Sequence, residues 1–476
     1  MHRGAHVADH FDELDAWLDA PVEPLDAPPG TFQRIHRRAR RRKAGKLMST
    51  AAGVVVVAAL AFAVPFVVPG LHGPSGNGKP TALGTPTSAS HVRSGNGNGS
   101  VNSSTKRPAP ASTLSAAGSA SPVPANFQPT SVTFVGPNVG AVIGQAGTPG
   151  QCATRYCTSL AGTSNYGASW YGVNAPVTGA PDGSSGVSQI RFLNTRDGWA
   201  FGPGLWVTHN GGASWTQEQT SGLRVTDLET AGDMAFALFA SCTGTGSDYG
   251  SGCASFSLYS SPDTGDQWTP VPGASANLSA PAGQSGSASL VLTAGAGFLL
   301  APSGQMLSGP LTGAAWTVAN PVAPCSPGPA GPAGQPTTAQ LAVANPTELV
   351  LVCTSPAPGT DTQLKSVYES ANGGTQWSPE GTPPATGIAT SLSAQSGGGL
   401  LLATDAGIFR SVNNGSTWQL AQASPPGAAA GEAGFSYVGM TSFQNGVALP
   451  ADPSLHEVFT TGDGGSTWQA RPVSAP

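Results

Sequence analysis

One eight-residue pattern recurs seven times and constrains this chain more than any other feature. TSNYGASW ends at Trp170, THNGGASW at Trp215, SPDTGDQW at Trp268 and GPLTGAAW at Trp316; SANGGTQW ends at Trp377, SVNNGSTW at Trp418 and TGDGGSTW at Trp468. Three residues before the Trp, every copy has glycine: Gly167, Gly212, Gly265, Gly313, Gly374, Gly415 and Gly465. Five before it, six copies carry Asn165, Asn210, Asp263, Asn372, Asn413 or Asp463, and the same six begin on Ser or Thr. The copy ending at Trp316 is degenerate. Trp-to-Trp intervals are 45, 53, 48, 61, 41 and 50 residues. A period of this length marks a chain built of repeated supersecondary units.

The residue types explain themselves as a turn. An Asn or Asp side chain accepts hydrogen bonds from backbone N–H groups just downstream, closing an Asx-type turn that the Ser/Thr hydroxyl braces. Glycine supplies a backbone conformation that other residues reach only at a steric cost. The Trp then opens the next strand and buries its ring between neighbouring sheets. Upstream lies a second recurring element, seen in 131–144, 189–202 and 440–450 and more loosely in 289–301, 340–352 and 390–403. Each reads as a short strand with a buried Phe, a polar turn and a second strand. Every repeat is therefore expected to be four short antiparallel strands with the octet between the third and the fourth. Four-stranded units of about 40–50 residues are propeller blades, and closing the ring leaves no long sheet edge exposed. The expected fold is all-β, a seven-bladed β-propeller over 127–476.

The S/T-x-D/N-x-G-x-x-W octets resemble the Asp-box, or BNR, repeats of sialidases and related propellers. Phe192 to Ala200, followed by THNGGASW, is most similar to the photosystem II assembly-factor-like propellers. The resemblance covers about 128–472. It implies the fold and makes the box residues scaffold, set on the blade rim away from the face where ligands bind in such families. It does not imply a function, because one fold hosts enzymes and binding proteins alike.

Catalytic constellations are missing. A sialidase grips its substrate carboxylate with three arginines; here Arg155, Arg191, Arg196, Arg224 and Arg410 precede Arg471, and no pattern selects three. Glycoside hydrolysis needs two facing carboxylates. Asp227, Glu229 and Asp233 qualify by type, and a solvated loop is the plainer expectation for them. No G-x-S-x-G occurs, and the domain has two histidines, His209 and His456, the former expected at the surface. No catalytic residue, metal site or cofactor is assigned.

Charge divides the chain. Residues 126–476 hold seven Lys/Arg and eighteen Asp/Glu, a balance of −11. Nucleic acid is therefore not expected as a partner, since phosphate neutralisation supplies most of that affinity. The first 46 residues contain a basic flank, Arg34 to Lys46, followed by 25 uncharged residues from Leu47 to Leu71. About 20 apolar residues cross a bilayer core. Lys/Arg-rich flanks stay inside, so the reading is one transmembrane helix over 47–71 with a cytoplasmic tail, 1–46, and the propeller outside. The alternative, a cleaved signal peptide, would need an unusually long leader and a small-residue cleavage site that is absent. Val7 to Leu18 spaces apolar residues as an amphipathic helix, a candidate contact for a cytoplasmic protein. Residues 72–126, rich in Gly, Ser and Pro, read as a disordered tether spanning on the order of 40 Å.

All six cysteines lie beyond the span. An oxidising compartment makes them disulfides, six cysteines allowing 15 pairings; proximity favours Cys152–Cys157, Cys242–Cys253 and Cys325–Cys353. Candidate binding residues are Asp248 and Tyr249 in the Cys242–Cys253 insertion, and Arg196 and Asp197 on the Phe192–Gly198 turn. The Cys325–Cys353 segment is a further candidate surface. The expected function is a membrane-anchored, non-catalytic binding or assembly module for a protein or glycan outside the cell. A sialidase-like or other glycoside hydrolase, and a signalling protein with the tail as effector, are the alternatives.

Overall fold

The computed structural model describes residues 113–114 and, between 121 and 473, all but 147–157, 179–184, 243–252, 263–266, 275–287, 302, 313–314, 320–323, 326–338, 357–362 and 430. The tail, the candidate span 47–71, most of the tether, and Cys152, Cys157, Asp248, Tyr249, Asp263, Gly265 and Gly313 lie outside these residues. No helix among the described residues is long and apolar enough to cross a membrane.

Seven antiparallel sheets of four strands each follow one another along the chain, every sheet made of consecutive strands. The blades span 128–173, 189–217, 224–270, 289–318, 339–381, 389–423 and 435–472. Consecutive first strands pack side by side, which places them around a common axis with the fourth strands outermost. In every blade the octet joins the third strand to the fourth. The predicted architecture is observed.

Five boxes are described in full, and they repeat one set of bonds. The leading hydroxyl, of Thr163, Thr208, Ser370, Ser411 or Thr461, donates to the Asn or Asp Oδ1 at 2.8–3.0 Å. It also accepts the N–H of the box glycine at 2.8–3.0 Å. The Oδ1 accepts in addition from the N–H four residues on. These hydroxyls are almost fully buried, so each must be satisfied within the turn. Gly167, Gly212, Gly374, Gly415 and Gly465 have φ between 78° and 87°. A Cβ on Gly465 would lie 2.6 Å from Leu401 of blade 6, and one on Gly212 would lie 2.7 Å from Val173 of blade 1. Glycine is thus required twice over, by the left-handed backbone and by contact with the preceding blade.

The tryptophans face the same way. Each box Trp packs in the cluster that its blade shares with the preceding one, Trp215 with blade 1 and Trp268 with blade 2, for example. Trp170, Trp316 and Trp468 are buried, whereas Trp215, Trp268, Trp377 and Trp418 keep an exposed edge. Seven apolar clusters result, one at every joint between blades. The last closes the ring: Val132, Val142 and Trp170 of blade 1 meet Val447, Leu449 and Val458 of blade 7. Tyr166 Oη reinforces it, donating to Gly446 O at 2.7 Å. No strand is exchanged to make this joint.

Two expectations need correction. In the 440–450 element the buried aromatic is not Phe443, which is 73% exposed on the turn. Met440 ends the first strand opposite Gly446, as Phe134 does opposite Gly140 and Phe192 opposite Gly198. The buried position of this element is thus Met440, three residues before Phe443. The domain also begins before 127. Leu114 and Val123 are 2% and 4% exposed within blade-joint clusters, and Ser121 O accepts the Gly172 N–H on the fourth strand of blade 1. Part of the expected tether therefore belongs to the packed ring.

Cys242 pairs with Cys253 and Cys325 with Cys353, the pairings that proximity favoured. Lys365 is buried at the start of the third strand of blade 5. Its Nζ lies within 2.6–3.3 Å of the carbonyls of Gln363, Pro384, Ala385, Thr386 and Gly387. The ammonium thereby fastens the connection between blades 5 and 6. Burial pulls it down to about 8, against the nearby Asp405 carboxylate.

Two stability outcomes follow. Gly465→Ala should lower the unfolding free energy by about 2–4 kcal/mol, adding left-handed strain to overpacking. Gly136→Ala, in open space, should stay within about 0.5 kcal/mol; equal urea midpoints for the two would refute the dual requirement. Lys365→Met should cost about 2–4 kcal/mol, because it strands buried carbonyls without a donor. A midpoint unchanged from wild type would show those carbonyls to be served otherwise.

Candidate functional site

First strands have one edge paired within the blade and the other turned to the axis, where backbone N–H groups need partners. Side chains of the preceding blade supply them. Ser131 Oγ and Thr133 Oγ1 accept from Ile190 and Phe192 N–H at 3.3 Å, and Ser391 Oγ accepts from Val438 N–H at 3.2 Å. Between blades 3 and 4 this place is taken by a carboxylate: Asp227 Oδ2 accepts from Leu290 N–H at 2.9 Å.

Asp227 is one of four ionisable residues that first strands bring together here. Arg191 of blade 2 donates through Nε and Nη2 to Glu229 Oε1 of blade 3 at 3.0 and 2.9 Å. Its Nη1 bonds Ile190 O at 2.8 Å and reaches Ser131 Oγ of blade 1 at 3.4 Å. The two side chains are 16% and 28% exposed. Tyr437 of blade 7 is close enough to couple electrostatically to both. Groups from blades 7, 2 and 3 can meet only around the axis.

The electrostatics follow from the surroundings. Burial opposes the Arg191 charge, but Glu229, Tyr437 and Asp227 hold its pKa above the ordinary value. Burial, then Glu229, pushes Asp227 up to about 7, against the Leu290 N–H and Arg191. Tyr437 is raised by burial, with Arg191 working against that and Glu229 with it. Arg191 is engaged by protein atoms on several sides. The ion pair engages Glu229 through Oε1, so Oε2 offers an acceptor, and Asp227 on the same strand adds a donor when protonated. Such a set can hold hydroxyl or ammonium groups.

The sequence-predicted candidates fall elsewhere or play other parts. Asp227 and Glu229 lie on the innermost strand of blade 3, not in a solvated loop; Asp233 does lie in an exposed turn. Asp197 is buried, with Asn194 Nδ2 on its Oδ2 and His209 Nδ1 on its Oδ1, each at 2.9 Å. Arg196 beside it is exposed, and its carbonyl accepts from Gly211 N–H of the box. This turn therefore sits at the box end of the ring. Both described disulfides sit at the other end, where second strands pass to third strands and blades to one another. Arg191, Arg410 and Arg471 occupy a first, a third and a fourth strand of blades 2, 6 and 7; Arg410 bonds Gly464 O, and Arg471 bonds Thr460 and Gln469. Tyr437 and Lys365 are further residues with structural partners, Tyr437 at the axis and Lys365 at the joint of blades 5 and 6. Neither stands out in sequence: Tyr437 shares its strand with Phe435, and Lys365 shares its strand with Gln363, Tyr368 and Glu369.

No family model matches the chain, and no curated protein matches it. Among solved structures, YCF48 bound to D1 peptide is similar at 16% identity, covering 59% of this chain and 79% of that one with a TM-score of 0.40. YCF48 from Cyanidioschyzon merolae gives 14% identity over 60% and 84%, with a TM-score of 0.38. An ancestral GH74 enzyme gives 14% identity over 74% of this chain and 47% of that one, with a TM-score of 0.45. The propeller assignment rests on the seven sheets themselves.

The raised Asp227 pKa has a sign that can be checked. Between about pH 4 and 7 the folded state binds a proton there that the unfolded chain releases, so this group makes stability fall as pH rises through that window. Asp227→Asn keeps the acceptor for Leu290 and should flatten the fall, measured as urea midpoints at pH 4.5, 6 and 7.5. An unchanged slope would show that Asp227 titrates normally.

Proposed function

We propose that this protein is a binding or assembly module for a protein or glycan partner, held at a membrane by residues 47–71 with the tail inside and the propeller outside. The observation that carries the reading is the axial cluster. Arg191, Asp227, Glu229 and Tyr437 are charge-matched, half-buried and set in a wall of Ser and Thr. Arg191 takes Glu229 Oε1 and the Leu290 N–H takes Asp227 Oδ2, and the second oxygen of Glu229 suits a neutral polyol or an amine. In the five fully described boxes, by contrast, the Ser/Thr hydroxyl, the Asn/Asp oxygen and the glycine N–H bond to one another within the turn and serve the scaffold.

A second reading has one observation in its favour. Asp227 is raised toward neutrality two residues from Glu229, which is ion-paired to Arg191, and glycoside hydrolysis uses two carboxyl groups, one of them as the acid. Turnover separates the two. The full chain, with Glu229→Gln and Tyr437→Phe variants, would be titrated calorimetrically against oligosaccharide and peptide panels and assayed on fluorogenic glycosides and sialosides. Binding without turnover, weakened about tenfold or more by Glu229→Gln, is expected. Turnover abolished by Asp227→Asn would establish the hydrolase instead, and absence of both would remove the axis as a ligand site.

A further inference from the structure

Lys365 meets more acceptors than it can serve. The residue is 3% exposed, on the third strand of blade 5. The carbonyl oxygens of Gln363, Pro384, Ala385, Thr386 and Gly387 stand 3.2, 3.0, 3.2, 3.3 and 2.6 Å from its Nζ. An ammonium has three N–H donors. At least two of the five oxygens are therefore held by its charge and not by a directed hydrogen bond.

Four of these carbonyls belong to consecutive residues, 384–387, so the connection between blades 5 and 6 closes around one point. The peptide from Gly387 to Ile388 lies between two charges. Its N–H donates to Asp405 Oδ1 of blade 6 at 2.7 Å, while its carbonyl makes the shortest contact with Nζ. Gly387 has a φ of 78°, and a Cβ there would lie 2.5 Å from Asp405 Oδ1. Glycine is what lets this carbonyl face inward.

The arrangement is the coordination shell of an ion. Four of the five contacts are 3.0 Å or longer, beyond the roughly 2.0–2.1 Å of Mg²⁺ and the roughly 2.3–2.6 Å of Ca²⁺ to oxygen. Converging neutral carbonyls are also what replace the hydration shell of K⁺ in selective channels. The carboxylate that acts on Lys365 is Asp405. One anion balances a monovalent cation, whereas a divalent one would leave buried charge without a partner.

We propose that these five carbonyls form a binding site for a monovalent cation of potassium or ammonium size, with the Lys365 ammonium as its resident, covalently tethered ion. Tethering makes the joint of blades 5 and 6 independent of the ions in solution. Once the side chain is shortened, the same site takes up potassium or a primary alkylammonium. The site is separate from the axial cluster and does not depend on it.

The test uses two variants of the full chain. Lys365→Val ends at Cγ and leaves the place of Nζ open to an ion; Lys365→Ala ends at Cβ, and n-propylammonium replaces the atoms removed. Urea unfolding is followed in potassium, sodium, n-propylammonium and choline chloride at equal concentration. At about 0.2 M, potassium should lower the unfolding constant of Lys365→Val about tenfold relative to choline, and n-propylammonium should do the same for Lys365→Ala. Sodium should do less, and wild type should not distinguish the four salts. A selective gain in either variant that wild type does not share supports the site. Absence of both gains, an equal gain in wild type, or failure of both variants to fold even with these cations would overturn it.

Discussion

In the five blades whose boxes are described in full, the ring depends on one hydrogen-bonded hydroxyl each. In each fully described box a buried Ser or Thr holds the Asn or Asp carboxamide or carboxylate and the glycine N–H at once. That locks the glycine into left-handed backbone and aims both glycine and Trp at the preceding blade. A propeller must close on itself with a blade-to-blade contact of constant geometry. Here the contact is coded locally, within eight residues, and copied. Blade 1 meets blade 7 by the same device, so closure needs no shared strand: Gly167, Tyr166 and Trp170 do to blade 7 what Gly212 and Trp215 do to blade 1.

The second constraint lies on the axis. Seven first strands present unpaired edges there, and Ser, Thr and Asp side chains of one blade supply the acceptors for the next. A hydroxyl does this without charge. Asp227 does it at the expense of a buried carboxylate, whose pKa rises accordingly. A scaffold role alone would be met by Ser or Thr at that place, as at Ser131 and Ser391. The departure from the local rule, joined to the Arg191–Glu229 pair, is what distinguishes the site from the wall around it.

What the sequence displayed was whatever repeats. Seven Trp and seven Gly at fixed spacing carried the blade count, the position of the box between third and fourth strands, and the role of glycine. Elements with less regular spacing were harder. The 440–450 stretch offered Phe443 and Met440 as rivals for one buried place, and only strand register, set by pairing with Gly446, decides between them. The axial residues were invisible for a different reason. Arg191, Asp227, Glu229 and Tyr437 come from three blades and lie as many as 246 residues apart in the numbering, and nothing in local pattern signals which inward positions meet across a ring. Asp227 and Glu229 read as loop residues because alternation with Leu228 is short and Thr226 sits at a bulge between Leu238 and Phe239.

The two ends of the ring are built on opposite principles. At the box end, short turns are tied to one another: Gly211 N–H to Arg196 O, Asn414 N–H to Gly398 O, Gly464 N–H to Gln444 O. Each links a box to the first turn of its own blade, so side chains displayed there are held on a fixed frame. At the other end, connections are long and are fastened one at a time, by Cys242–Cys253, by Cys325–Cys353 and by the Lys365 ammonium among its carbonyls. Rigid short turns favour recognition by preformed contacts, whereas long fastened loops can vary in sequence without disturbing the blades. The chain enters this frame at the joint that closes it, with Leu114 in the cluster between blades 1 and 2 and Val123 and Phe127 in that between 7 and 1. The segment before blade 1 is therefore part of the closure. A load applied through it would act first on Leu114, at the joint between blades 1 and 2, and next on Val123 and Phe127, at the joint that closes the ring.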